Sequence, residues 1–284
     1  MIKVLVASLV AVAVLVAAVL GYGGLRWRAA ARDATATLAR SRAVPNVTRY
    51  SEGELEGLPP PVVRYFRSVL HDGQPIVTGA RIPQSGEFST GEGDDGWRPF
   101  TATESFATRP PGYVWLADIR MSPGLAVHVR DSYLAGAGAM KAAMLGVLTM
   151  ADAHDTPEMA AAALQRYLGE APWFPTALLP SQGARWTAID DSTARATLTD
   201  GGTTVSMEFT FDANGEITGT STPSRYRAMK DHYETAPWGG RFAKYTECDG
   251  MRVPTEAEAA WVIDGKRLPY WRGRNGRIVF EFAP

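Results

Sequence analysis

Two runs of strict alternation, residues 193–199 (TARATLT) and 203–211 (TTVSMEFTF), constrain this chain more than any other feature. In the second run Val205, Met207, Phe209 and Phe211 fall on one face, and Thr204, Ser206, Glu208 and Thr210 on the other. That is the pattern of an antiparallel strand with one dry and one wet side. Asp200-Gly201-Gly202 joins the runs, and glycine takes the positive φ of a tight hairpin without steric cost.

The same grammar recurs along the chain. It predicts strands at 76–82, 100–108, 113–120 and 126–133, with Arg109-Pro110-Pro111-Gly112 breaking the second from the third. Further strands are expected at 185–189, 193–199, 203–211, 216–222, 241–247, 256–263, 268–274 and 278–282. Asp190-Asp191, Asp212-Ala213-Asn214-Gly215, Asp249-Gly250 and Asp264-Gly265 stand at the joints. Helical signals are fewer. Pro59-Pro60-Pro61 leads into VVRYFRSVL, whose Val62, Phe66, Val69 and Leu70 share a face. Thr156, Pro157 and Glu158 make a good helix start, and a helix is expected over 158–168. Residues 137–150 (AGAMKAAMLGVLTM) read as a helix or a flexible lid. Prolines 172, 175 and 180 forbid a regular helix or central strand, so a fixed loop is expected there, with Trp173 and Phe174 packed inward. About a dozen antiparallel strands with few helices make an α+β fold: one large curved antiparallel sheet, an open half-barrel, with two or three helices on its concave face.

The amino terminus departs from this pattern. Residues 4–25 form a 22-residue run without a charge, which as a helix reaches about 33 Å, enough to span a bilayer. The run exceeds the roughly 7–15 apolar residues of a cleaved signal peptide. Arg26, Trp27, Arg28 and Arg32 follow at once, as an interfacial anchor does. The expected organisation is a transmembrane anchor at 1–28, a basic helical linker at 29–57 and a single curved-sheet domain at 58–284. Flanking charges are nearly tied and favour a cytoplasmic domain by a narrow margin.

Composition excludes several classes of function. With 29 basic and 30 acidic residues the net charge is −1, so no global field recruits nucleic acid. A single cysteine, Cys248, permits neither an intrachain disulfide nor a cysteine-based zinc cluster. It lies between Glu247 and Asp249, whose charges suppress a thiolate. His71, His128, His154 and His232 are scattered without HExxH or His-x-His spacing, and no G-x-S-x-G elbow occurs. Gly91-Glu92-Gly93-Asp94-Asp95-Gly96 matches G-x-G-x-x-G by letter, but no helix follows and its acids would repel a pyrophosphate. Asp94-Asp95 and Asp190-Asp191 read as turn formers. No metal and no cofactor are expected.

What remains is a surplus of 8 Trp, 10 Tyr, 10 Phe and 9 Met. A curved sheet this aromatic lines an apolar concavity or simply fills a core. The candidate ligand contacts are Tyr113, Trp115, Met144, Trp173, Phe174, Met207, Phe209 and Trp261, with Met144, Met150 and Met159 as an adaptable lid.

Three segments carry a family likeness: 167–180 (YLGEAPWFPTALLP), 237–242 (PWGGRF) and 269–273 (PYWRG). They resemble a family of uncharacterised, membrane-anchored bacterial proteins, over about residue 58 to the end, and that likeness brings no activity. More loosely, 241–245, 249–254 (DGMRVP) and the final strands are similar to the end of outer-membrane lipoprotein-sorting carriers. Their fold is an open β half-barrel with helices plugging a greasy concave face. That resemblance implies handling of lipid or lipoprotein outside the cytoplasm, and so a domain on the extracytoplasmic side. The expected function is therefore a membrane-anchored, non-catalytic binding module for an apolar ligand or lipid. One alternative is a structural or envelope-assembly protein whose sheet is filled by its own helices. Another is a hydrolase-like enzyme built on His128, Asp131, His232 and Glu234, with His128 as base.

Overall fold

The computed structural model describes residues 1–90, 96–229 and 231–284. Gly91 to Asp95, and with them the G-x-G-x-x-G match and Asp94-Asp95, lie outside the described residues. The first wing of the sheet is a meander of β1 (Val77–Ser89), β2 (Trp97–Thr108), β3 (Pro111–Ser122), β4 (Leu125–Leu134), β5 (Ala137–Met144) and β6 (Leu148–His154). The second wing begins with β7 (Arg185–Ala188), β8 (Thr193–Asp200), β9 (Thr203–Phe211) and β10 (Ile217–Ala228). It continues through β11 (Tyr233–Cys248), β12 (Met251–Ile263), β13 (Lys266–Asn275) and β14 (Val279–Phe282). Among the described residues these 14 strands form one antiparallel sheet, in which β13 pairs with β1 to join the wings and β14 also pairs with β1.

Among the described residues three α-helices accompany the sheet: α1 (Ile2–Ser41), α2 (Pro60–Val69) and α3 (Pro157–Glu170). α3 begins as its sequence predicts, with the Thr156 hydroxyl accepting from the Met159 amide at 3.2 Å and Pro157 in the first turn. It also reveals the curvature. Near its start, Met159 lies against Gly138 of β5, while Gly169 near its end meets Met207 of β9 and Trp238 of β11. β5 and β9 are nine steps apart in strand order, about 43 Å in a flat sheet, whereas a helix with its side chains is only about 10–12 Å wide. The sheet therefore curls around α3. The Tyr133 hydroxyl of β4 donates to Asp200 of β8 at 2.8 Å and ties the wings directly.

The core lies on this inner face. α2 buries Val62, Tyr65, Phe66 and Val69 into it. After α3 the chain makes three short 3-10 turns, Ala171–Trp173, Pro175–Leu178 and Pro180–Gln182. They form the fixed loop its prolines demand, with Trp173 2 % and Phe174 0 % exposed. α1 behaves differently. Its residues 2–22 are exposed, and its second half packs on the outer face, where Leu38 meets Ala107 and Val114.

Residues 137–150 are neither helix nor lid: they form β5, a turn and the first residues of β6. Ala and Met favour helices in isolation, but pairing of Val127 through Leu134 with Met144 through Ala137 overrides that preference. Leu145 and Gly146 turn the chain with positive φ. β10 and β11 also run longer than their sequence suggests, because Pro223 and Pro237 interrupt the alternation without ending the strands.

Candidate functional site

One inner row runs straight across five strands: Ile82, Glu104, Trp115, Asp131 and Met140 are successive cross-strand partners. Two carboxylates thus stand on an apolar face. α3 answers them with Arg166, whose Nη2 donates to Glu104 at 2.7 Å, Nη1 to Asp131 at 2.7 Å and Nε to Glu170 at 2.9 Å. The guanidinium also stacks over the rings of Tyr113 and Trp115, 4.9 and 5.1 Å from their centroids. Around it the Tyr113 hydroxyl donates to Asp131, the Gln84 amide to Glu104, and the Trp115 indole to Gln84.

The charge balance of this cluster is uneven, with three acids facing one cation. Glu104 is fully buried. Burial, then the charge of Glu170, pushes its carboxyl well above the ordinary range against the pull of Arg166. Burial raises Glu170 as well, and Arg166 opposes the rise. Among the described residues the Glu170 Oε2 has no hydrogen-bond partner, and the Tyr113 hydroxyl and Gln84 amide supply donors to Asp131 and Glu104. The arrangement pins α3 to β2 and β4.

The upward shift of the Glu104 carboxyl gives a prediction with a definite sign. A carboxyl whose pKa rises on folding stabilises the fold at low pH and loses that contribution as pH climbs past its unfolded value, about 4.5. Glu104→Gln carries no such group. Urea unfolding across the range from about pH 4 to about pH 8 should show the variant gaining on the parent as pH rises. A constant difference would mean that folding does not raise the Glu104 carboxyl.

Burial along the inner face is graded. At the amino ends of the mutually parallel strands β1, β3, β5 and β12 the face is closed, with Ala80, Tyr113, Gly138 and Met251 buried. At their carboxyl ends Phe88, Met121, Met144 and Trp261 are only partly buried. Tyr270 continues this open end, in ring contact with both Phe88 and Trp261. Arg225 lies over Trp261 and Trp238 and donates to the carbonyl of Ala162 in α3.

Of the expected ligand contacts, Tyr113, Trp115, Trp173, Phe174, Met207 and Phe209 lie in the closed core, whereas Met144 and Trp261 lie at its open end. Met150 is exposed on β6, and Met159 sits in the first turn of α3. The four residues of the enzyme alternative do not converge. His128 lies on the outer face against Trp27 and Asp118, while Asp131 lies on the inner face with Arg166. His232 is exposed near the β10–β11 turn, hydrogen-bonded to Asp231 and Glu234. Among the described residues no group of three or more His, Cys, Asp or Glu is placed to hold a metal ion. Burial, then Asp249, pushes the Cys248 thiol up.

A single-sheet α+β domain curled around an internal helix, with a long apolar helix at its amino end, is the class that this geometry defines. A family model described as a family of unknown function, DUF6920, matches residues 56–280, and the chain belongs to that family. A crystal structure of a LolA superfamily protein from Nitrosomonas europaea aligns with a TM-score of 0.42 and 8 % identity, covering 79 % of this chain and 93 % of that one. No curated protein matches.

Proposed function

We propose that this protein is a single-pass membrane protein whose domain, on the extracytoplasmic side, binds a lipid or other apolar chain at the open end of its curved sheet. The supporting observation is a coincidence of position. Gly23 of α1 lies against Val147, in the turn just beyond the carboxyl end of β5. The exposed apolar segment of α1 therefore leaves the domain on the side where Phe88, Met121, Met144 and Trp261 are partly uncovered. An apolar chain leaving a bilayer along α1 meets these side chains first. Mostly apolar concavities with few polar groups are where such ligands bind.

Photolabelling of the full chain in lipid nanodiscs with a diazirine-bearing fatty acid tests this. Adducts are expected on the open end, at Met144, Trp261 and their neighbours, and should fall when Trp261 is replaced by Ala. Adducts confined to residues 4–25 would sink the binding reading and leave only an anchor. A second reading, a structural protein with a filled sheet, is favoured by the complete burial of Phe106, Tyr113 and Phe174, and that labelling result would put it ahead.

A further inference from the structure

Between the second half of α1 and the outer face of β1–β4 lies a cleft of about 810 Å³. Arg28 and Arg32 line it from α1, Arg42 from the residue just after α1, and Arg81 from β1. Its acids, Asp118 and Glu281, are both engaged, the first by His128 and the second by Arg42. Arg28, Arg32 and Arg81 have no carboxylate partner among the described residues. Four guanidiniums against two carboxylates make the cleft locally +2 in a chain whose net charge is −1. Thr35 and Thr103 add hydroxyls to the same walls.

The position of the cleft identifies its ligand class. Arg28 and Arg32 come three and seven residues after Leu25, the end of the apolar run, or about 5 and 11 Å along a helix. The headgroup layer of a leaflet is roughly 5–8 Å deep, so the Cα of Arg28 stands within it and that of Arg32 just above it, within reach of a long side chain that can extend back to the interface. Trp27 marks the same level, tilted against His128 with Arg130 over its ring. Beside Gly23 the β5–β6 turn exposes Val147, Leu148 and Met150 at 39, 63 and 54 %, an apolar tip at the depth where such side chains enter a membrane interface. We propose that the cleft binds the phosphate of an anionic lipid headgroup, gripped by Arg28, Arg32 and Arg81. Arginine forks match phosphate oxygens bidentately, and basic pockets beside membrane helices hold lipid headgroups. This rests on α1 being a membrane helix, part of the proposed function.

Native mass spectrometry of the full chain, released from nanodiscs of mixed phosphatidylcholine and phosphatidylglycerol, reads the site directly. The parent should retain phosphatidylglycerol in preference. The double variant Arg32→Glu/Arg81→Glu should lose roughly thirtyfold in that preference, two basic contacts near an anionic surface being removed. Arg32→Lys/Arg81→Lys should keep most of it. Arg49→Glu/Arg185→Glu, the same charge change placed away from the open end of the sheet at two exposed residues, should leave the preference intact. Both targeted arginines are exposed, so the variants should melt with the parent. Equal retention of the two lipids, or a preference that survives the double variant, overturns the proposal. Displacement of the lipid by low concentrations of inorganic phosphate keeps the phosphate chemistry but overturns the lipid as its source. A chain that washes from membranes in alkali overturns the membrane reading alone, since phosphate binding to the washed chain still reads the cleft.

Discussion

Replacing Arg166 by Met should lower the melting temperature of the full chain by on the order of 10 °C at neutral pH. The substitution keeps an unbranched side chain of similar reach and removes the cation that, among the described residues, pairs with Glu104, Asp131 and Glu170. Breaking a buried pair by removing one partner costs about 3–5 kcal/mol, because the remaining charge is left in a poor solvent. In a domain of this size each kcal/mol moves the midpoint by about 2–4 °C. The defect should grow as pH rises and the acids ionise, and adding Glu104→Gln should restore part of it. An unchanged midpoint would mean that the cluster is far wetter than its geometry implies.

Trp173→Ala should cost a comparable amount by a different route. The ring is 2 % exposed and lies 6.1–6.5 Å from the rings of Phe242, Trp271 and Phe106. Truncating a buried Trp removes about 3–5 kcal/mol through lost transfer energy and the void left behind. Against a total stability of about 5–15 kcal/mol, that loss leaves some of the population unfolded. Trp173→Phe should lose much less. It keeps a ring in place, and the indole nitrogen that it deletes has no hydrogen-bond partner. Circular dichroism melts of the two variants separate these outcomes, and equal melts would show that the site collapses around alanine.

Much of the fold is written locally. Asp249-Gly250 and Asp264-Gly265 each take positive φ at the turn that their sequence announces. Thr156 caps the helix that it was expected to cap. Asp190 folds its turn by accepting from the amide and hydroxyl of Ser192. β5 and β6 are less legible. Small residues blur the two faces of β5, and β6 is an edge strand with little buried on either side.

The ion cluster was out of reach for another reason. Its members come from β2, β4 and α3, and only Arg166 and Glu170, four apart on one helix, are neighbours in sequence. A signal was nonetheless present. Glu104 stands in phase with Phe100, Ala102 and Phe106, Asp131 with Val127, Val129 and Tyr133, and Gln84 with Ala80 and Ile82. A charge in the apolar phase of a strand needs a partner, since burying it alone costs several kcal/mol. Two such charges on one face, with the polar Gln84 beside them, pointed to a shared counterion. Arg166, on the helix expected to cover that face, was the residue to ask about.

α1 runs unbroken to Ser41 and is held near both ends of its docked half, by Gly23 against Val147 and Leu38 against Gly112. The domain is thus mounted on a stiff shaft instead of a leash. If α1 is set in a bilayer as proposed, the domain would neither swivel nor reach outward: its height above the lipid would be fixed by where the apolar run ends, and any roll of the helix about its own axis would turn the whole sheet with it. Encounters would then be two-dimensional, the open end of the sheet sampling what diffuses past in its own leaflet. A glycine at position 23, where an added Cβ would come within 2.4 Å of Val147, is what allows shaft and domain to move as one body.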